Sequence, residues 1–218
     1  MPTLQGFIFD MDGVLCDSER FICEAACQMF RESHSITVHP DDFIPFVGAG
    51  ENRYLGGVAE KHGIALDLPR DKARTYQIYL QIIKGRLNPL PGAVPFIQEC
   101  RRRALKLAVA SSADKIKVDG NLAEIGLFPS TFDACITGDD VERKKPDPQI
   151  FLLAAASLGL PPANCIVVED APNGIRAAKA AGARCLGLTT SFDERTLRQA
   201  GADWIAGDLA NVPPALFA

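Results

Sequence analysis

Residues 4–15 read LQGFIFDMDGVL, an apolar run that ends in two aspartates, Asp10 and Asp12, and a glycine. The unbroken apolar character of residues 4–9 predicts a short strand that is buried on both faces, as the strands of parallel sheets are. Open parallel sheets bind ligands at the carboxyl ends of their strands. The two carboxylates are therefore predicted at a sheet edge where a functional site can form.

The rest of the chain repeats this pattern of apolar runs separated by helical segments. Strands are predicted at residues 105–110, 132–137, 165–168 and 184–188, with a weaker one at 204–206. Helices are predicted at residues 93–103, 149–158 and 174–181, with proline or glycine just before or just after them. Alternating strands and helices are typical of an α/β fold, so we expect a Rossmann-like parallel sheet core with helices on both faces.

A long interval without strand signals separates the first two predicted strands. Its helical patterns lie at residues 20–32, 40–47, 52–62 and 70–84. A crossover between parallel strands needs only one helix. We therefore expect residues 16–88 to form an inserted α-helical cap domain, and residues 1–15 and 89–218 to form the core domain.

Composition and charge limit the classes of function. The 218 residues are 47% hydrophobic, which is enough apolar material for a sizeable core. The net charge of -4 gives no global attraction to nucleic acid or anionic membranes. No apolar run reaches the ~20 residues of a membrane span, and seven irregularly spaced cysteines indicate neither a disulfide framework nor a zinc site. We expect a soluble, cytoplasmic monomer without nucleic-acid or membrane partners.

Polar side chains follow three further predicted strands. Ser111 and Ser112 follow the second, Lys145 comes after the third, and Glu169 and Asp170 follow the fourth. Carboxylates gathered at one edge repel each other unless a cation neutralises them, and oxygen ligands of this kind favour Mg²⁺. The lysine and the hydroxyl groups complete a pocket for an anion. Charge neutralisation and positioning are what phosphoryl transfer requires, and a carboxylate can serve as its nucleophile.

Each of these motifs alone is commonly a turn, a helix cap or a solvated charge. Their occurrence in order, each after an apolar strand, favours a functional site. The residues at 9–15, together with Ser111, Lys145-Pro146 and Glu169-Asp170, resemble the four motifs of the haloacid dehalogenase-like superfamily, over essentially the whole chain. The position of the insertion resembles the branch with a helical cap, which holds phosphoglycolate phosphatases, sugar-phosphate phosphatases and β-phosphoglucomutase.

The resemblance implies catalytic and phosphate-binding roles. Asp10 is expected to be the nucleophile, which forms an aspartyl-phosphate. Asp12 is expected to protonate the leaving group and then to activate water. Ser111, Ser112 and Lys145 are expected to bind the transferring phosphoryl group.

The resemblance also implies a Mg²⁺ site, and the position of the insertion indicates a substrate contact. Asp10, Glu169 and Asp170 are expected at the metal, with Asp12 contributing its backbone carbonyl. Glu19, just past the point where the insertion begins, is expected to contact the leaving group. The implied partner is a small phosphorylated metabolite.

Three functions are compatible with this pattern. The first is a Mg²⁺-dependent phosphatase, a phosphoric monoester hydrolase that acts on a small metabolite such as a sugar phosphate. The second is a β-phosphoglucomutase-like mutase, which uses the same nucleophile and returns the phosphoryl group to the sugar. The third is a haloacid dehalogenase-like fold that only binds, although such a protein has no chemical need for Asp10, Asp12 and Asp170 together.

Departures from the mutase pattern favour the phosphatase. The mutase carries a histidine in the first cap helix where this chain has Ile22. It also carries an arginine in a cap loop that residues 48–51 occupy here, with Arg53 only nearby. The acid at Asp12 argues against a dehalogenase, and the cap lysines Lys61 and Lys72 are interpreted as surface charges rather than as a Schiff-base lysine.

Overall fold

A six-stranded parallel sheet forms the centre of the computed structural model, which describes residues 3–46 and 50–217. The strands are β1 (Gly6–Phe9), β2 (Lys106–Ala110), β3 (Ala134–Ile136), β4 (Cys165–Glu169), β5 (Arg184–Leu188) and β6 (Trp204–Ala206). Their spatial order is β3-β2-β1-β4-β5-β6, and each neighbouring pair is parallel. The predicted α/β fold class is confirmed, and β1 lies inside the sheet with a partner on each side.

Helices connect the strands and form the insertion. In the described residues they are α1 (Glu19–His34), α2 (Glu51–His62), α3 (Leu68–Ile82), α4 (Ala93–Arg102), α5 (Lys115–Glu124), α6 (Gln149–Ser157), α7 (Pro172–Ala180) and α8 (Glu194–Ala200). Apart from the one over residues 40–47, the predicted helices agree with these bounds to within two residues. Two short helices, α5 and α8, were not predicted, because their apolar positions are few and separated by charged residues.

The two faces of the sheet pack against different helices because successive side chains of a strand point to opposite faces. On one face, Phe7 of β1 stacks edge-on against Phe96 of α4 with ring centroids 5.2 Å apart. On the other face, Ile8 is fully buried in a cluster with Ile150 and Phe151 of α6. The alternation of β1 thus explains how a wholly apolar strand supports helices on both sides.

The insertion between β1 and α4 contains helices and no strand in its described residues, 16–46 and 50–88. Its two connections to the sheet lie side by side: Cys16 forms a bridge with Pro89, and the Leu90 amide donates to the Leu15 carbonyl at 2.9 Å. A division into core and cap at residues 16 and 88 stays a prediction. These adjacent crossings, which would serve as a hinge, support it.

The helix predicted over residues 40–47 is instead a pair of short turns. The structure has 3-10 helices at Pro40–Asp42 and Ile44–Phe46, and Val47 lies outside the described residues. Pro45 has no amide hydrogen to donate, so a continuous α-helix cannot form through it. Across the described chain, no helix has the length and apolar character that crossing a membrane requires.

Candidate active site

The carboxyl edge of the sheet brings together several of the side chains predicted to form the site. Asp10 directly follows β1, Ser111 follows β2, and Glu169 is the last residue of β4. The last residue of β1, Phe9, is in register with Val168 of β4. Residues that are far apart in sequence therefore lie at one level of the sheet.

The Lys145 ammonium group lies between two of these carboxylates. Its Nζ is 2.5 Å from Oδ1 of Asp10 and 2.7 Å from Oε1 of Glu169, and it also donates to the carbonyl of Ala110 at 3.3 Å. Burial alone would lower the pKa of Lys145, but the two carboxylates outweigh burial and raise it. The site therefore keeps a permanent positive charge beside Asp10.

Glu169 is held on both of its carboxylate oxygens. Oε1 accepts from Lys145, and Oε2 accepts from the backbone amides of Asp170 and Ala171, each at 2.9 Å. A Cβ atom at Gly174 would lie 1.7 Å from Oε1, so only glycine leaves room for this carboxylate. In this arrangement Glu169 fixes Lys145 and the start of α7.

The surroundings of Asp10 and Asp170 disfavour the charged form of both carboxyl groups. Burial raises the pKa of Asp10 to about 7; the Lys145 ammonium opposes this rise, and the charge of Glu169 adds to it. Burial and the neighbouring carboxylates raise the pKa of Asp170 to about 8. Gly13, with φ of 76°, admits Asp170, because a Cβ there would lie 1.9 Å from its Oδ2. A cation near Asp10 and Asp170 would relieve this repulsion.

The donor set fits Mg²⁺ better than a metal that needs a complete protein cage. Among residues 3–46 and 50–217, no three His, Cys, Asp or Glu side chains form a preformed metal site. Mg²⁺ needs only one or two carboxylates, since it keeps several waters and takes substrate phosphate oxygens. Asp10 and Asp170 supply two carboxylates of that kind.

Asp12 lies apart from this cluster and is held by different partners. Its Oδ1 accepts from the backbone amide of Ser18 at 3.1 Å and from the Ser18 hydroxyl, and its Oδ2 accepts from Nζ of Lys117 at 2.9 Å. Asn121 donates to the Ser18 hydroxyl at 3.2 Å, and Tyr79 donates in turn to Asn121. This chain of hydrogen bonds orients the Asp12 carboxylate from the core helix α5 and the inserted helix α3.

Lys117 is a functional candidate that the sequence did not predict. It is 3% exposed, and its Nζ is also 3.8 Å from Oε1 of Glu19. Burial would lower its pKa, but Asp12, Glu19 and Glu51 outweigh burial and raise it. One sequence feature could have pointed to Lys117: it is adjacent to the apolar Val118 and lies on the buried side of a helix. A lysine in such a position needs a charged partner.

The two serines at the end of β2 have different contacts. Ser111 is 3% exposed, and its Oγ accepts from the amide of Ala113 at 3.2 Å. Ser112 contributes its carbonyl, which accepts from Nζ of Lys144 at 3.2 Å, and Lys144 also donates to the carbonyl of Gly138 at 2.9 Å. The hydroxyl of Ser111 is therefore held in place by a backbone amide. The preceding residue, Ala110, accepts a hydrogen bond from Lys145 through its carbonyl.

Two curated relatives resemble the chain over most of its length. The chloroplast protein SUPPRESSOR OF QUENCHING 1 of Arabidopsis thaliana is 45% identical over 208 residues, which are 94% of this chain. The chain spans about a fifth of the length of that relative. The phosphorylated carbohydrates phosphatase of Thermotoga maritima is 32% identical over 201 residues, 91% of this chain and 92% of that protein.

A solved structure and a family model agree with these relatives. The structure of CbbY from Rhodobacter sphaeroides in complex with phosphate is 26% identical and has a TM-score of 0.84, over 95% of this chain and 96% of that chain. The model of the haloacid dehalogenase-like hydrolases matches residues 4–182, which include Asp10, Lys145 and Glu169. The chain, with its parallel sheet and acidic carboxyl edge, belongs to the haloacid dehalogenase-like hydrolases.

Proposed function

We propose that this protein is a Mg²⁺-dependent phosphatase that hydrolyses a small phosphorylated metabolite through an aspartyl-phosphate on Asp10. The observation that carries the proposal is the contact of the Lys145 ammonium with Asp10 at 2.5 Å and with Glu169 at 2.7 Å. A buried cation beside a strand-end carboxylate neutralises the charge that a phosphoryl group brings to that carboxylate.

Asp10 is the proposed nucleophile. One of its carboxylate oxygens attacks phosphorus, and the ester oxygen of the substrate leaves. Lys145 donates hydrogen bonds to the phosphoryl oxygens and to Asp10, and the Ser111 hydroxyl donates to a second phosphoryl oxygen. Glu169 acts through Lys145, which it positions.

Asp12 is the proposed general acid and base. It gives its proton to the leaving oxygen in the first step and accepts a proton from the attacking water in the second, so that it ends in its starting state. Ser18 and Lys117 hold the two oxygens of its carboxylate in this structure. These two contacts are proposed to orient it for proton transfer with the leaving group.

The proposed Mg²⁺ site is formed by the carboxylates of Asp10 and Asp170 and the backbone carbonyl of Asp12. When bound, Mg²⁺ supplies further neutralisation of the phosphoryl oxygens and offsets the repulsion between the carboxylates. Glu169 is proposed as a residue beside the metal rather than as a direct ligand, because both of its oxygens have protein partners.

The helical insertion is proposed to act as a cap over this site, and Glu19 at the start of α1 to contact the leaving group. The Thermotoga maritima relative is named as a phosphatase of phosphorylated carbohydrates. A sugar or polyol phosphate is the proposed substrate class on that resemblance.

A panel of phosphate esters tests the proposal, with free phosphate measured for each ester in the presence of Mg²⁺. Hydrolysis by the wild-type protein and none by Asp10→Asn is the expected result. β-Glucose 1-phosphate with a trace of glucose 1,6-bisphosphate separates the mutase function. Formation of glucose 6-phosphate much faster than release of phosphate from any ester would favour the mutase and reject the phosphatase.

A further inference from the structure

The fifth strand of the sheet also ends in polar side chains. Thr189 and Thr190 directly follow β5. The Thr190 hydroxyl donates to the carbonyl of Gly13 at 2.5 Å, across 177 positions of sequence. Gly13 lies in the loop after β1, next to Asp12 in the chain. The end of β5 therefore holds the loop that carries the proposed general acid and base.

Gly13 has two further contacts that restrict it. Its amide donates to the carbonyl of Cys16 at 2.8 Å, which closes the loop on itself. The Asp170 carboxylate fills the space beside its Cα, because a Cβ atom on Gly13 would lie 1.9 Å from Oδ2. Glycine adopts many backbone conformations at similar cost. The loop therefore depends on contacts such as the one from Thr190 to keep a single conformation.

Core packing does not account for the contact between Thr190 and Gly13, because Thr190 is an exposed residue. Its neighbour Thr189 contacts β6 instead. The Thr189 amide donates to the Ala206 carbonyl at 2.9 Å, and the Thr189 hydroxyl is 3.5 Å from the same oxygen. The two adjacent threonines thus have separate contacts: Thr189 joins the end of β5 to β6, and Thr190 joins it to the loop after β1.

Gly13 is the point where two segments of the proposed Mg²⁺ site meet. Asp12 precedes it in the chain, and Asp170 packs against its Cα. A rotation of the Gly13 backbone would therefore move the carbonyl of Asp12 relative to the carboxylate of Asp170. Mg²⁺ demands near-ideal octahedral geometry with short ligand distances, so its binding is sensitive to such a movement.

We propose that Thr190 is a positioning residue of the active site. Its hydroxyl fixes the Gly13 carbonyl and thereby keeps the Asp12 carbonyl and the Asp170 carboxylate in the arrangement that binds Mg²⁺. Thr190 acts through Gly13 and contacts neither the metal nor the substrate. The inference rests on the proposed function, because the Mg²⁺ site is part of that proposal.

Calorimetric titration with Mg²⁺ tests the role of Thr190 without relying on turnover. Thr190→Val replaces the hydroxyl by a methyl group and is expected to raise the Kd for Mg²⁺ about fivefold, the equivalent of one neutral hydrogen bond. Thr190→Ser keeps the hydroxyl and is expected to restore the wild-type Kd to within about twofold. Thr189→Val, the same change at the adjacent residue, is the matched control and is expected to leave the Kd unchanged.

The melting temperature in chelator separates positioning from a purely structural role. Thr190→Val is expected to melt within about 3 °C of the wild type there, because only one exposed hydrogen bond is lost. Added Mg²⁺ is expected to raise its melting temperature less than that of the wild type at the same concentration. Thr190→Ala provides the second measurement if Thr190→Val does not fold.

The outcomes distinguish this inference from the phosphatase proposal. An equal Kd for Mg²⁺ in wild-type protein and Thr190→Val would overturn the inference alone. So would an equal rise of the Kd in Thr189→Val, or a Thr190→Ser variant that binds as weakly as Thr190→Val. If wild-type protein binds Mg²⁺ but releases phosphate from no ester, the phosphatase proposal fails and the Kd values still decide the role of Thr190. Wild-type protein that does not bind Mg²⁺ would reject the proposed metal site and this inference together.

Discussion

Lys117 donates to Asp12 across 105 positions of sequence, with Nζ 2.9 Å from Oδ2. The lysine lies on α5 of the core, and the aspartate lies in the loop after β1. Ser18 holds the other carboxylate oxygen, so Asp12 has one defined orientation in this structure. The proposed general acid is thus positioned by residues outside the four recognised motifs.

Lys117→Met is expected to lower kcat/KM about 100-fold for an alkyl phosphate such as glycerol 3-phosphate, because general acid catalysis contributes ~10²–10⁴-fold. The loss is expected to be much smaller for p-nitrophenyl phosphate, whose leaving group departs without a proton. Steady-state kinetics with both esters measure the difference. Lys115→Met, on the exposed side of the same helix, is the control. Equal losses for the two esters would show that Lys117 does not act through Asp12.

Asp10→Asn is expected to abolish turnover, with a loss of several orders of magnitude, because the amide cannot form the aspartyl-phosphate. The fold should persist, since the amide remains a hydrogen-bond acceptor for Lys145. Free-phosphate assays and thermal unfolding check the two expectations separately. Hydrolysis near the wild-type rate would remove Asp10 from the role of nucleophile.

Stability without metal is expected to depend on pH through Asp10 and Asp170. Their pKa values of about 7 and 8 in the folded protein lie above the ~4 of an unfolded chain, so the folded state binds more protons between these limits. In chelator, these two carboxyl groups should therefore contribute most to the free energy of unfolding below about pH 4. Their contribution should fall as the pH rises to about 8.

Mg²⁺ is expected to reverse this trend, because it binds the deprotonated carboxylates. Added Mg²⁺ should raise the melting temperature more at pH 8 than at pH 5. Asp170→Asn should flatten the pH dependence in chelator and weaken the response to Mg²⁺. An equal shift of the melting temperature by Mg²⁺ at both pH values in wild-type protein would contradict the proposed metal ligands.

Gly174→Ala is expected to damage the site, because its Cβ would lie 1.7 Å from Oε1 of Glu169, the oxygen that holds Lys145. We expect a loss of about 1–3 kcal/mol in the free energy of unfolding, as overpacking causes, and a fall in kcat/KM. Gly56→Ala in α2 is the matched control, since a Cβ there meets nothing within 4 Å. It should stabilise the helix by about 0.5–1 kcal/mol. Urea unfolding and kinetics of both variants measure these changes.

The strands and the acidic edge could be predicted from the sequence because they depend on local patterns. Apolar runs identify the strands. Because the strands are parallel, the residues that follow each run lie together at one edge of the sheet. The same patterns predicted the neighbourhood of Asp10, Lys145 and Glu169. Local patterns also account for the error at residues 40–47, where the apolar spacing resembled a helix but Pro45 prevents one.

The hydrogen bonds that hold Asp12 could not be predicted in the same way. Lys117 and Glu51 lie on helices whose exposed faces are also rich in charge, so their types alone do not reveal which charges are buried. Their burial follows from the docking of α3 against α5 and of α2 against α3, and the first of these is a contact between segments distant in sequence. Residues 48 and 49 of the expected cap loop lie outside the described residues.

The central position of β1 also has a consequence for the synthesis of the protein. Phe9 pairs with Val109 of β2 and with Val168 of β4, so the strand that carries Asp10 completes its pairing only with the second half of the chain. A nascent chain that has emerged from the ribosome only as far as α5 contains the whole insertion but lacks Lys145, Glu169 and Asp170. Translation must therefore pass residue 170 before the proposed phosphate site can form, and shorter products of translation are expected to be inactive.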